Sequence, residues 1–567
     1  MRTRRLWTVA GISALLAVQP LAAQRIPLVS APRARHLRDV QQPTTQCPAM
    51  PQPGSVSSSG GVLNASLSMQ PATFRIGDST YTRNEYNGKY LADVLRMNRD
   101  EQLSVLVSNN MRRLPGDTVS YQYTNQHYHG MIVTPVPNPG DNVTNVLIKP
   151  GQSNQNRFYV PMQQSEGMMW YHPHPHGLTQ PQVTGGLAGA LIVGDLLASY
   201  PAYAGATERV MYVKSVNGGT TLDVNGNPCS LLTIGPGERQ LWRIGNMTGG
   251  TWVNLKLGER PYNYKFILLA LDGNHFIRPL PVDSLFIPPG SRAEAIVIGG
   301  TGAWHARFYS DSIASSYDRA TGKLKPRSPA VDLGFLQTVG LLKAVAPEAL
   351  DPRRQQPDRV LEDSIRRLET DTDVDTFTVH YQIVGNGLGL NGKQYSPTRL
   401  DRAVAVGRTQ QWTLINDTWF LHTFHIHQVD FVVVSVNGHP SVPDSVHLDN
   451  VHLGIHPLPN GKWAPDTVVI RFRFLPIAAG PFVYHCHDLF HEDAGMMANV
   501  CVYDPARGQT PGTCRQWFPG GPSTGAHGAH GMAGMTMPHP GTPPPAPPLH
   551  PADHPVAAQR AATLHRH

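Results

Sequence analysis

A gapless internal repeat constrains this chain more than any other feature. Gly237-Glu-Arg-Gln-Leu-Trp242-Arg-Ile-Gly-Asn246 aligns on Gly407-Arg-Thr-Gln-Gln-Trp412-Thr-Leu-Ile-Asn416, and each copy follows an Asn-Gly turn, Asn225-Gly226 and Asn391-Gly392. A fainter relative runs from Arg99-Asp-Glu-Gln-Leu103 to Asn109. At 567 residues the chain exceeds one compact core, so the repeat reads as three copies of one domain. Phe431-Val-Val-Val-Ser-Val and Thr467-Val-Val-Ile-Arg-Phe-Arg-Phe alternate with the period of half-buried strands. Gly 53, Pro 51 and 15% charged residues fit short strands and many turns better than a helical bundle. The expected fold is all-β, each domain a pair of sheets packed face to face.

The expected layout is a signal peptide over 1–23, a linker over 24–61 and domains over 62–202, 203–345 and 373–505. A charged linker over 346–372 precedes the third domain, and a disordered His-, Met- and Pro-rich tail over 506–567 closes the chain. Met1-Arg-Thr-Arg-Arg, an apolar run from Leu6 to Leu21 and Ala22-Ala23-Gln24 have the layout of a cleavable export signal, too short for a comfortable membrane span. Thr3-Arg4-Arg5 also resembles a twin-arginine signal. A periplasmic or secreted monomer is expected, with no membrane span in the mature chain. The formal charge of +7 includes Arg2, Arg4 and Arg5, which leave with the signal, so no nucleic-acid partner is implied. Five cysteines in an exported chain leave one over. Cys486, between two histidines, is the obvious odd member; Cys501 pairs locally with Cys514, and Cys47 with Cys229 by arithmetic alone.

Four clusters carry the chemistry: His127-Tyr-His129-Gly130, Trp170-Tyr-His172-Pro-His174, His422-Thr-Phe-His425-Ile-His427, and His485-Cys486-His487 with His491 and Met496 following. In a strand, side chains two apart share a face and odd spacings oppose it. His425 and His427 therefore point one way and His422 the other, while His485 and His487 oppose Cys486. One side gathers Cys486, His422 and His491 with Met496 as an axial thioether, the donor set of a blue-copper site; the neighbouring Met497 is a rival for the axial place. The other side gathers only imidazoles, from His127, His129, His172, His174, His425, His427, His485 and His487. A structural zinc site closes with four ligands, so this larger set suits a copper cluster. A single His-x-His pair is ordinarily a surface strand; four of them with coherent parities are not. At the repeat's offset, His422, His425 and His427 fall on Trp252, Leu255 and Leu257, so the second domain is expected to bind no copper.

These clusters resemble the four copper-binding motifs of the multicopper oxidases, which include laccases, bilirubin oxidases and cuprous or ferrous oxidases. The likeness runs from about residue 62 to 505, and His485-Cys-His-Asp-Leu-Phe-His491-Glu-Asp-Ala-Gly-Met496 is its most specific part. The resemblance implies three cupredoxin-like β-sandwich (Greek-key) domains and about four copper ions per chain. It makes His422, Cys486, His491 and Met496 type 1 ligands and gives His127 and His425 to type 2 copper. His129, His172, His174, His427, His485 and His487 then hold the type 3 pair, and His176 matches no ligand position. Glu492 and, more loosely, Asp141 match the carboxylates that relay protons in similar enzymes. The implied activity passes electrons from a reductant through Cys486 to dioxygen. No Met lies between Thr338 and Leu421, where cuprous oxidases resembling this chain carry a methionine-rich insertion, which favours a phenol or aromatic amine. The tail residues His527, His530, Met532, Met535, Met537 and His539 form a soft-donor cluster that favours metal-ion oxidation or copper sequestration instead.

Overall fold

The computed structural model describes residues 47–113, 123–216, 221–258, 265–300, 305–325, 328–340, 349, 351, 354–440 and 446–518. The expected signal peptide over 1–23, residues 24–46 and the tail beyond 518 lie outside the described residues. The rest is built from strands in three two-sheet sandwiches, as the alternating pattern predicts. The second sandwich pairs a six-stranded sheet, with Arg239–Asn246 third in order, with a five-stranded sheet holding His305–Ser310 and Val253–Leu257 side by side. The third repeats that order: Thr409–Asn416 is third in its six-stranded sheet, and Gly480–Cys486 lies beside His422–Ile426 in its five-stranded sheet. The first sandwich packs Ser79–Tyr86, Val62–Ile76, Gln102–Asn109 and Ser153–Tyr159 against a five-stranded sheet ending in Gly167–His172 and His127–His129.

The repeated segments become equivalent strands because the same side chains close the same turns. Asn225 and Gly226 have φ of 55° and 82°, and Asn391 and Gly392 have 50° and 74°. Positive φ at both central positions is the demand of a tight hairpin that Asn-Gly meets. Trp242 and Trp412 are fully buried inside their sandwiches. Alternation also holds locally: Thr467–Arg473 alternates half-buried and buried residues up to its exposed last one.

Two segments read as linkers are structured. Ser55–Ser57 pairs in parallel with Val94–Met97, and Cys47 forms a disulfide with Cys229, so order begins by residue 47 rather than 62. Arg359–Thr370 is a helix capped by Asp358, whose side chain accepts from the backbone N–H of Val360 and Leu361. Its Leu361, Ile365 and Leu368 pack on Ile277 of the second domain and Val432 of the third. The first part of the segment expected to be a disordered tail is structured: residues 513–517 form a short 3₁₀ turn tied down by the Cys501–Cys514 disulfide. Cys486 is left as the free, buried thiol. Among the described residues, no helix is long and apolar enough to cross a membrane.

Candidate metal centre

Pairing register decides which way each donor points. Phe424 lies opposite Cys486 and His425 opposite His485. Directly opposed residues share a face, so Cys486 faces the sandwich interior beside Phe424, while His425 and His485 face outward. The first domain does the same: His127 opposes His172 and His129 opposes Trp170, whereas Tyr128 and Tyr171 enter that domain's core. The imidazoles of two sandwiches therefore project from their outer faces toward one another, and the sulfur stays inside the third sandwich.

On the inner side, Cys486 Sγ lies 3.5 Å from His422 Nδ1 and 3.5 Å from His491 Nδ1. His422 Nε2 is 2.9 Å from Thr418 Oγ1, which turns Nδ1 toward the sulfur. Met496 is fully buried with Cys486 in one core cluster, and its carbonyl accepts from the Cys486 N–H at 3.0 Å. Met497 instead opposes His485, on the outward face. That register puts Met496, not Met497, on the sulfur's side. Burial pushes the Cys486 thiol well up, so a metal loading there displaces a proton.

On the outer side, His485 Nε2 is 3.1 Å from His174 Nε2 and 3.4 Å from His427 Nε2. His127, His129 and His172 form another close group, as do His127, His425 and His427. Backbone carbonyls fix three rings: His172 Nδ1 donates to Pro173 O at 3.0 Å, His425 Nδ1 to Asp449 O at 2.8 Å and His485 Nδ1 to Cys486 O at 3.0 Å. His127 Nε2, His129 Nδ1, His172 Nε2, His425 Nε2 and both nitrogens of His487 are buried without a hydrogen-bond partner. A buried polar atom left unpaired costs about 1–3 kcal/mol, and a metal ion satisfies such nitrogens. Burial also holds His172 down to about 3 and His174 to about 4, so these rings are neutral ligands. The donor chemistry on both sides fits copper.

Both expected carboxylates reach the outer cluster. Asp141 Oδ2 is 3.0 Å from His127 Nδ1, and burial pushes its carboxyl up to about 8. Glu492 Oε2 is 3.1 Å from His485 Nδ1, and Thr179 donates to its Oε1 at 2.9 Å. Burial opposes charge on Glu492, while the hydrogen bonds from His485 and Thr179 favour it, so its carboxyl lies below the usual carboxylate range. His176, set aside in the sequence, packs on Tyr395 with ring centroids 4.6 Å apart.

Sequence reasoning missed the groups behind the ligands. Asp449, Arg292 and Gly290 come from segments with no His or Cys spacing to mark them. Gly290 has φ +83°, and a Cβ there would lie 2.7 Å from the His487 ring, so only glycine lets the second domain approach that imidazole.

Three cupredoxin-like sandwiches with a thiolate–imidazole set and an all-imidazole set divided by one strand define a copper-binding class of protein. Family models described as multicopper oxidase match residues 69–197 and 365–506. The multicopper oxidase Mco of Staphylococcus aureus is 25% identical over 439 residues, covering 74% of this chain and 83% of that protein. The cell division protein FtsP of Dickeya dadantii is 24% identical over 442 residues, covering 73% and 84%. The solved multicopper oxidase of Campylobacter jejuni, described as a metallo-oxidase, superposes with a TM-score of 0.62 at 22% identity, covering 81% of this chain and 95% of that one. The chain belongs to the multicopper oxidase family.

Proposed function

We propose that this protein oxidises a phenol or aromatic amine by single electrons and reduces dioxygen to water, as a laccase-like enzyme exported from the cytoplasm. The observation that carries this reading is the His485-Cys486-His487 segment, which offers sulfur to one donor set and imidazoles to the other. Copper held by His422, Cys486, His491 and Met496, and by the eight outer imidazoles, about four ions in all, supplies one-electron transfer at the first set and dioxygen reduction at the second.

The chain's own residues supply the rest. His491 is 8% exposed while His422 and Cys486 are fully buried, so the His491 edge is where a donor approaches. Phe420 lies 5.0 Å from the His422 ring and 5.2 Å from the His491 ring, with Trp419 a further 5.6 Å away, and this aromatic approach supports a planar organic donor. Peptide bonds alone join Cys486 to both flanking imidazoles, a short covalent route across the strand. Asp141, its carboxyl raised to about 8 by burial, stands at His127 Nδ1, and Glu492 stands at His485 Nδ1, so each places a carboxylate against the cluster that can take up and release a proton. Burial of the outer imidazoles excludes water from the reacting site. The two disulfides support an oxidising compartment.

Metal-ion oxidation is the second reading, favoured by the His/Met-rich tail and by the metallo-oxidase of like fold. Oxygen consumption by the copper-loaded protein with a phenol, a diamine, cuprous ion, ferrous ion and bilirubin separates the readings. Turnover with the organic donors is expected. Turnover with metal ions alone removes the laccase-like assignment, and variable copper loading without blue colour favours sequestration. A cell-division role like that named for the FtsP relative gives no reason to keep this donor set.

A further inference from the structure

We propose that Asp449 is the positioning residue on which all three domains set the imidazole cluster; this rests on the copper-binding reading above. Asp449 is 1% exposed and immediately precedes the third-domain strand Asn450–Leu453. Its Oδ1 lies 3.2 Å from Nε2 of His129, a first-domain ring, while its backbone carbonyl accepts from Nδ1 of His425, a third-domain ring, at 2.8 Å. The two rings so held are stacked, with centroids 3.8 Å apart and planes 14° from parallel.

The second domain supplies the other half of the device. Arg292 is fully buried and donates from Nη1 to Asp449 Oδ1 at 2.8 Å and from Nη2 to Oδ2 at 2.7 Å, the bidentate fork that fixes a carboxylate's plane. The guanidinium is itself held, by Met168 O at 3.0 Å and Asp272 O at 2.9 Å. A domain without ligands of its own thus sets the angle of the carboxylate that turns His129.

What one ring nitrogen bonds decides which nitrogen is left for metal. His129 Nε2 is engaged by Asp449 Oδ1 and by Asn450 Nδ2 at 3.1 Å, the amide itself donating to Asp449 Oδ1, and His425 Nδ1 is engaged by the Asp449 carbonyl. The opposite nitrogens, His129 Nδ1 and His425 Nε2, are the ones without partners. Gly130 belongs to the same arrangement. Its φ is +85°, and a Cβ there would fall against Arg292 Nη2 and 2.8 Å from Asp449 Oδ2. The glycine after His129 is what lets fork and carboxylate close behind the ring.

The test is copper titration of the full-length apoprotein against a competing chelator. Blue absorption reports the Cys486 site, and total bound copper by metal analysis, less that at the blue site, reports the imidazole sites. Asp449→Ala is expected to weaken copper at the imidazole sites about 10- to 100-fold and to leave the blue site unchanged, which makes that site an internal control for folding. Asp449→Asn keeps an oxygen acceptor and should lie between wild type and Asp449→Ala; it also carries the test if the alanine variant fails to fold. Unchanged imidazole-site affinity in Asp449→Ala, equal loss at both sites, or equal losses in the two variants overturns the positioning role. A wild-type protein that takes up no copper at the imidazoles overturns the functional reading instead.

Discussion

The second and third domains are built to one plan and differ in what a single strand face carries. Their sheets run in the same order, and small details repeat. Asn225 Oδ1 accepts from Tyr212 N at 2.7 Å, as Asn391 Oδ1 accepts from His380 N at 2.7 Å. Thr248 Oγ1 donates to Asn246 at 2.8 Å, as Thr418 Oγ1 donates to Asn416 at 2.7 Å. Yet Asn246 Nδ2 reaches Thr251 O where Asn416 Nδ2 reaches Phe420 O, so the loop before the ligand strand is one residue longer in the second domain. Leu255 faces the core as Phe424 does, and Lys256, not the Leu255 expected from the gapless repeat, stands where the other copy has His425. The sandwich therefore does not need the ligands, and the ligands do not make the sandwich. Function is grafted onto one copy of a fold that stands without it. The plain copy serves the site by other means, through Gly290 against His487 and Arg292 against Asp449.

Exchanging the features that differ breaks the comparison in graded ways. Cys486→Ser should abolish blue absorption and oxygen consumption together, because Cys486 is the one free thiol among the described residues; turnover surviving in that variant refutes the assigned route. His425→Leu, which removes an outward imidazole, should lose copper from the imidazole set and cut oxygen consumption by more than about 10-fold while the blue colour remains. Metal analysis beside the visible spectrum checks it. In the plain copy, Leu255→His places a lone imidazole in the core with no partner and should cost about 1–3 kcal/mol in denaturant unfolding of the apoprotein, with no copper gained. Met496→Leu should be mildest: copper stays bound and the potential shifts, each ~59 mV changing a one-electron equilibrium about tenfold. An unchanged potential in a redox titration would point to another axial residue.

Much of this was legible in the sequence because strand periodicity is a strict rule. The two-residue alternation around Cys486 and His425 was enough to divide the donors between two sites, whereas the gapless repeat set Leu255 on His425 one residue out of register, because the loop before that strand is longer in the second domain. What escaped depends on partners distant in the chain. Ser55–Ser57 becomes a strand only by pairing with Val94–Met97, and nothing local announces it. The helix Arg359–Thr370 did carry a signal, Leu361, Ile365 and Leu368 at helical spacing, hidden in a segment read for its charge. Asp449 acts through His129, 320 residues away, and Arg292, 157 residues away, a convergence no local spacing encodes.

Anomalous scattering at the copper edge from crystals of the copper-loaded protein tests the central claim most directly. The account predicts one peak beside Cys486 Sγ between His422 and His491, and a separate group of peaks among the imidazoles of the first and third domains, on the far side of the same strand. Copper on only one side of that strand, or bound away from these side chains, would contradict it.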